Sequence, residues 1–270
     1  MLPGQPAVRV HGDLPLSLTG IARALGFYLF LVFVVFFLSL TGMYLSYIII
    51  ILVSLLFILA AKVTVRSGNP LPGAVTGTLA ITATFGLMLA VGTTAIAGLE
   101  TGIVDALLIG ILMQTFVAVG EELSFRGYLL GDLRAQLGLP AAIALSSLGF
   151  AFLHVHSMLL TGINPPSALI ALVTITAAGA VLALLTIRWG ILSAMGFHFA
   201  WNFFQYNVFG LGLAGEFDSV LKLSGPGDIL LTGGEYGPEA SLPGLFVILI
   251  TLGVAWYLCR RHKTDNCHTR

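Results

Sequence analysis

Charge is what this sequence has least of. Only 9% of its 270 residues are Asp, Glu, Lys or Arg, against 57% hydrophobic, and the mean hydropathy is +1.01. A chain this apolar cannot bury its side chains in one water-soluble core, which excludes an ordinary soluble enzyme and points to a polytopic helical membrane protein. Cysteine is nearly absent: Cys259 and Cys267 lie near the C-terminal end without CxxC spacing, which excludes a disulfide framework and a cysteine-built zinc site. The formal net charge is zero and there is no basic tract, so no nucleic-acid partner is expected. His-Glu-x-x-His and Gly-x-Ser-x-Gly are missing, and no Gly-Asp pair falls inside a span. Those absences exclude the common zinc-protease helix, the serine nucleophile elbow and an aspartyl intramembrane centre.

What is present is a series of long apolar runs. Bounded by Gly, Pro and charge, they predict eight spans at about 21–41, 43–61, 74–98, 103–130, 140–158, 167–187, 189–209 and 243–260. The first run is too long for a signal-peptide core and lacks a small-residue cleavage site, so it is expected to be a retained span. Of the twelve basic residues only Lys222 falls on the side opposite the rest, which predicts an even number of spans with both termini cytoplasmic, in the cell membrane. Residues 1–270 read as one transmembrane domain whose motifs lie within about 103–209. Spans 1 and 2 carry no ionisable residue between Arg23 and Lys62 and read as lipid-facing packing elements, and 210–242 reads as a solvated linker rather than a lid.

Glu121 and Glu122 stand out against this background, following eighteen mostly apolar residues from Ile103. Each ionised side chain at bilayer depth costs roughly 2.5–3.5 kcal/mol, so Glu121, Glu122 and Arg126 unpaired would together cost on the order of 8–10 kcal/mol. Glu122 and Arg126 are four apart on a helix and can pair, which turns Glu121 by about 100° to a neighbouring face. One arginine cannot neutralise two adjacent carboxylates, so Glu121 needs another partner. Three histidines, His11, His262 and His268, are in the tails, whereas His154, His156 and His198 fall in apolar helices where a polar side chain must find a partner or water. His198 and Asn202 share one helix face, continued by Gln205 and Tyr206. Counting about 1.5 Å per residue from the turn near Pro140 puts Glu121 and His154 at nearly one level, and the same rise from Arg188 puts His198 several ångström shallower, an offset that Arg126, Asp132 and Arg134 can remove by holding part of the hairpin in the headgroup region. His156 is turned by about 200° from His154 and reads as an interfacial residue.

A carboxylate, two imidazoles and an amide converging in a membrane cavity suit the activation of water. The glutamate can act as general base, one histidine can orient the water or bind a metal, and the second histidine with the asparagine can stabilise an oxyanion. Neutral histidines with a carboxylate are equally the ligand set of a catalytic zinc, and the residues leave both open.

Glu121-Glu122-x-x-x-Arg126, Phe150-x-x-x-His154 and His198-x-x-x-Asn202 resemble, in order and spacing, the three motifs of the CPBP family. These are the CAAX-protease and bacteriocin-processing intramembrane endopeptidases, including the type II CAAX prenyl endopeptidase. The resemblance implies an all-α protein that hydrolyses a peptide bond of a membrane protein or lipidated, CAAX-type peptide in the lipid bilayer. It implies Glu121 as the base, Glu122 and Arg126 as its supporting pair, His154 acting with Glu121 at the water or metal, and His198 with Asn202 at the oxyanion. A divalent ion such as zinc, if held, would take Glu121, His154 and His198. Substrate identity and oligomeric state stay open. Two other readings of the same residues are a catalytically silent scaffold or chaperone of this fold and a proton-coupled transporter. Against the transporter, the spans show neither an inverted repeat nor a Gly/Pro-broken helix pair.

Overall fold

Lipid offers no hydrogen bonds to a backbone, so a chain made of apolar runs must satisfy its amides within helices. The computed structural model describes residues 17–38, 43–212, 218–225 and 227–265, and it is built that way. Helix α1 (Leu18–Phe33) continues as a π segment to Leu38 and is followed by α2 (Met43–Ala60) and α3 (Leu71–Ala90). The next helix, α4 (Val104–Glu122), passes through a π segment (Leu123–Leu129) into α5 (Leu130–Leu137). A tight turn at Gly138 leads to α6 (Leu139–Leu153) and the short α7 (Val155–Leu160). After α8 (Pro165–Trp189) comes α9 (Ile191–Asn202), which also runs on as a π segment (Phe203–Phe209). The chain ends with α10 (Ile229–Thr232), a 3-10 turn (Pro238–Ala240) and α11 (Leu242–Asp265).

Each of the eight expected spans contains a helix. Six described helices are long and apolar enough to cross a membrane: Leu18–Phe36, Leu71–Ala90, Val104–Leu137, Leu139–Leu160, Pro165–Trp189 and Leu242–Arg261. Tyr44–Ala60 is apolar but shorter. Leu56, Leu79, Leu108 and Leu169 are each at least 60% exposed, as a lipid-facing surface requires. The polar N-terminal stretch, His11, Cys267 and His268 lie outside the described residues.

Two expectations are corrected. The third span does not run to residue 98. Gly92, in the left-handed region at φ 75°, ends α3 with the paired bonds Gly92 N–H to Leu89 O and Thr93 N–H to Met88 O. The chain then forms strand β1 (Ala95–Leu99), antiparallel to β2 (Leu221–Ser224), with Lys222 bonded to Glu100 at 2.6 Å. Spans 1 and 2 are not mere lipid-facing packing: Phe27, Leu31, Ile50 and Ser54 are buried, and the Ser54 and Ser124 hydroxyls bond at 2.8 Å between α2 and the π segment after α4.

Two contacts fix α9. Gly73 and Gly77 on α3 let it lie against the α9 backbone at Ser193 and Phe197, and Gly196 returns the close approach against Pro70. This is the small-xxx-small contact that replaces hydrophobic driving force in lipid. At the start of α9, Gly190 adopts φ 95°, and the Ile191 and Leu192 N–H groups donate to Arg66 O and Ser67 O, each at 2.9 Å. Two orphan amides of a helix terminus are thereby satisfied by the segment leading into α3, which sets the height of everything further along α9.

Candidate active site

The last turn of α4 carries Glu121 and Glu122 into the middle of the bundle. Glu122 is fully buried, and its Oε1 accepts from Arg126 Nη1 at 3.2 Å and from His198 Nδ1 at 2.9 Å. Arg126 Nη2 donates to Gly179 O at 3.0 Å, and the guanidinium lies 4.4 Å from the centre of the Phe150 ring. The arginine therefore serves Glu122 and leaves Glu121 to other partners. Tyr47 of α2 donates to Glu121 Oε1 at 2.8 Å. The other oxygen, Oε2, is buried and has no hydrogen-bond partner among the described residues. It lies 4.0 Å from His154 Nε2 and 3.8 Å from His198 Nε2.

Both imidazoles are oriented from behind. His154 sits at the junction of α6 and α7, where its Nδ1 meets the Phe150 carbonyl at 2.8 Å. A carbonyl only accepts, so Nδ1 carries a proton and Nε2 is the nitrogen that faces Glu121. The bond from His198 Nδ1 to the Glu122 carboxylate fixes that ring in the same sense. The offset of several ångström estimated for His198 is absent, because the π segment after Glu122 and the Arg66–Ser67 contacts reset the heights that uniform helical rise predicts.

These groups border a cavity of about 320 Å³ lined by Tyr47, Glu121, His154, His198 and Asn202, with Phe150, Leu153, Ile175, Leu182 and Phe197 supplying apolar wall. Asn202 is half-buried on this wall, one turn beyond His198. Tyr206 lines it as well, and so does His156, whose ring packs edge-on against Phe36 at 4.6 Å. Glu121, His154, His198 and Asn202 thus border one chamber, and Glu122 and Arg126 lie behind it.

Three residues of this chamber are absent from the motif reading. Tyr47 lies in a span without ionisable residues, and nothing in its local sequence sets it apart from other helix tyrosines. Tyr236 and Glu239 come from the segment read as a solvated linker, which instead turns back into the protein. Glu239 is half-buried: Oε1 accepts from Trp201 Nε1 at 2.7 Å and Oε2 from Gln205 Nε2 at 3.0 Å. Burial pushes its carboxyl above the usual range, against the opposing effect of the bonds from Trp201 and Gln205. Burial likewise pushes the Tyr236 phenol up. Gln205 continues the polar stripe of His198 and Asn202 by one turn, but nothing in the sequence says which residue meets it.

The donor set suits a divalent ion in kind, with one carboxylate oxygen lacking a partner among the described residues and two Nε2 atoms facing it. Ligands about 2.1 Å from a tetrahedral zinc stand about 3.4 Å apart. The separations of 3.8 and 4.0 Å would have to close by several tenths of an ångström, and no preformed cluster of three ligands occurs among the described residues.

Residues 103–204, which contain all three motifs, match a family model described as type II CAAX prenyl endopeptidase Rce1-like. No curated protein and no solved structure matches the chain.

Proposed function

We propose, for a chain that belongs through residues 103–204 to the CPBP family of CAAX-type intramembrane proteases, that Glu121 activates a water for attack on a peptide bond of a membrane-associated protein or peptide. The observation that carries this reading is the Glu121 Oε2 atom, buried between two imidazole nitrogens without a hydrogen-bond partner among the described residues. A buried charged acceptor left unsatisfied costs on the order of 1–3 kcal/mol or more. A water at this position removes that cost and is already beside its base. Tyr47 holds Oε1, so the oxygen left to take the proton is Oε2.

His154, locked by the Phe150 carbonyl, would accept a hydrogen bond from the water and aim its lone pair. Asn202 would donate its amide to the developing oxyanion, joined by His198 when that ring carries a second proton. The proton that Oε2 takes from the water is the one then passed to the leaving amine as the C–N bond breaks. If a divalent ion is held, Glu121, His154 and His198 would hold it, and it would supply Lewis acidity toward the water. The apolar wall supports a lipid-modified or transmembrane substrate. The basic residues gathered away from Lys222 support cytoplasmic termini in the cell membrane.

Glu121→Ala and His154→Ala are expected to abolish cleavage, by at least 10²–10⁴-fold, while leaving the purified protein folded and inserted. Proteolysis retained by either variant on a working substrate overturns the assignment. Elemental analysis with chelation addresses the ion: loss of activity restored by zinc assigns the three ligands, and activity kept after exhaustive metal removal leaves Glu121 sufficient.

A further inference from the structure

The segment 233–241 touches both histidine-bearing helices, although it lies outside the motifs. Through Glu239 it grips Trp201 at the end of α9 and Gln205 in the π segment beyond, at 2.7 and 3.0 Å. Through Tyr236 it reaches Ser157 Oγ of α7 at 3.4 Å, and that hydroxyl donates to the His154 backbone carbonyl at 2.8 Å. The segment is itself braced: Ser241 Oγ donates to Pro238 O at 2.7 Å and accepts from Gly244 N–H at 3.0 Å, which ties the turn to the start of α11. Both Tyr236 and Glu239 line the cavity.

Drawing a carboxylate even half out of water is a costly way to fasten a turn, and here both its oxygens are used as acceptors for neutral N–H donors. The donors lie one helical turn from His198 and Asn202, so the bonds set where the π segment begins and how far the cavity opens beside Asn202. We propose that Glu239 is a positioning residue of the hydrolytic site, latching the 233–241 segment onto Trp201 and Gln205 as the wall against which substrate is held. The proposal rests on the hydrolase reading above. It makes the latch a matter of hydrogen-bond geometry rather than charge, which separates Glu239 from Glu121.

The test compares kcat and KM of purified full-length wild type, Glu121→Ala, Glu239→Ala, Glu239→Gln and Trp201→Phe on one membrane peptide substrate, with thermal melts alongside. Glu239→Ala should lower kcat/KM at least tenfold, mostly through KM. Trp201→Phe, which keeps the ring and loses the N–H, should raise KM at least threefold. Glu239→Gln should stay within threefold of wild type, because its carbonyl still accepts from Trp201 and the Gln205 amide can turn its oxygen, which has no partner among the described residues, toward the new NH₂. A Glu239→Gln variant as impaired as Glu239→Ala overturns the proposal by making the charge essential. Wild-type kinetics in Glu239→Ala also overturns it, as does wild-type kinetics in Trp201→Phe where Glu239→Ala cannot be obtained folded. An active Glu121→Ala variant defeats the hydrolase reading instead, whatever Glu239 does.

Discussion

Replacing Gly77 by alanine should slow cleavage without unfolding the chain. Gly77 faces the α9 backbone at Phe197, the residue before His198, and a Cβ there would stand 2.5 Å from Phe197 O and 3.0 Å from its Cα. These are backbone atoms, so no side chain can swing aside. Reaching the minimum of 3.0 Å from the oxygen parts the helices by about 0.5 Å, and an ordinary contact of 3.4 Å parts them by about 0.9 Å. Misplacing a reacting group by 1 Å can cost on the order of 10²-fold, so kcat/KM should fall roughly ten- to hundredfold. Gly86 on the same helix has no atom within 4 Å of where an alanine methyl would stand, so Gly86→Ala is the matched control. It should keep wild-type rates and slightly stiffen α3, alanine being better than glycine in a helix by about 1 kcal/mol. Both variants are compared in one lipid or detergent by initial rates on one peptide substrate, with a melt to verify folding. Equal activity in the two would refute the claim that the α3–α9 contact sets the position of His198.

Tyr47→Phe removes a hydrogen bond to a carboxylate, commonly about 1.5–3 kcal/mol, and should reduce kcat roughly ten- to hundredfold with little change in KM; a change confined to KM would remove Tyr47 from the support of Glu121. Arg126→Ala strands Glu122 without its cation and should cost about 3–5 kcal/mol of stability, read as a lower unfolding midpoint; a melt like wild type would contradict the buried pair. Glu239 predicts a pH effect. Its folded-state pKa is raised, so the stability it contributes is full below the unfolded carboxyl value near 4.3 and is lost as pH rises through the folded value. Glu239→Gln should therefore gain in melting temperature relative to wild type as pH rises above about 4.3, and a difference independent of pH would count against a desolvated carboxylate there.

The helices and the motif residues were legible because lipid leaves so few ways to place charge. Glu121, Glu122 and Arg126 are conspicuous in an apolar run, and four-residue spacing alone pairs Glu122 with Arg126. The count of residues from Pro140 put Glu121 and His154 level, but the count from Arg188 left His198 shallower, since uniform rise ignores the π segment that follows Glu122 and the Arg66–Ser67 contacts. Tyr47 stayed hidden because a hydroxyl on an aromatic ring is common in membrane helices and periodicity does not say which one meets a carboxylate. Glu239 was misread for a different reason. A glycine-rich stretch with scattered acids has the composition of a solvated loop, and only tertiary contact with Trp201 and Gln205 reverses that. The strand after Gly92 was missed because Ala95–Leu99 is as apolar as the helix before it, and its partner lies more than a hundred residues away.

The anchoring of α9 by Arg66 and Ser67 divides that helix into two ends with different freedoms. Its beginning is pinned by main-chain bonds, which do not depend on what side chains residues 66 and 67 carry, so His198 keeps its place through sequence drift there. Its far end widens into a π segment and meets the 233–241 segment through the side chains of Trp201, Gln205 and Glu239. Changes in the peptides accepted can accumulate at that end, exchanging residues around Gln205 and Glu239, while His198, two turns before Gln205, keeps its main-chain anchor.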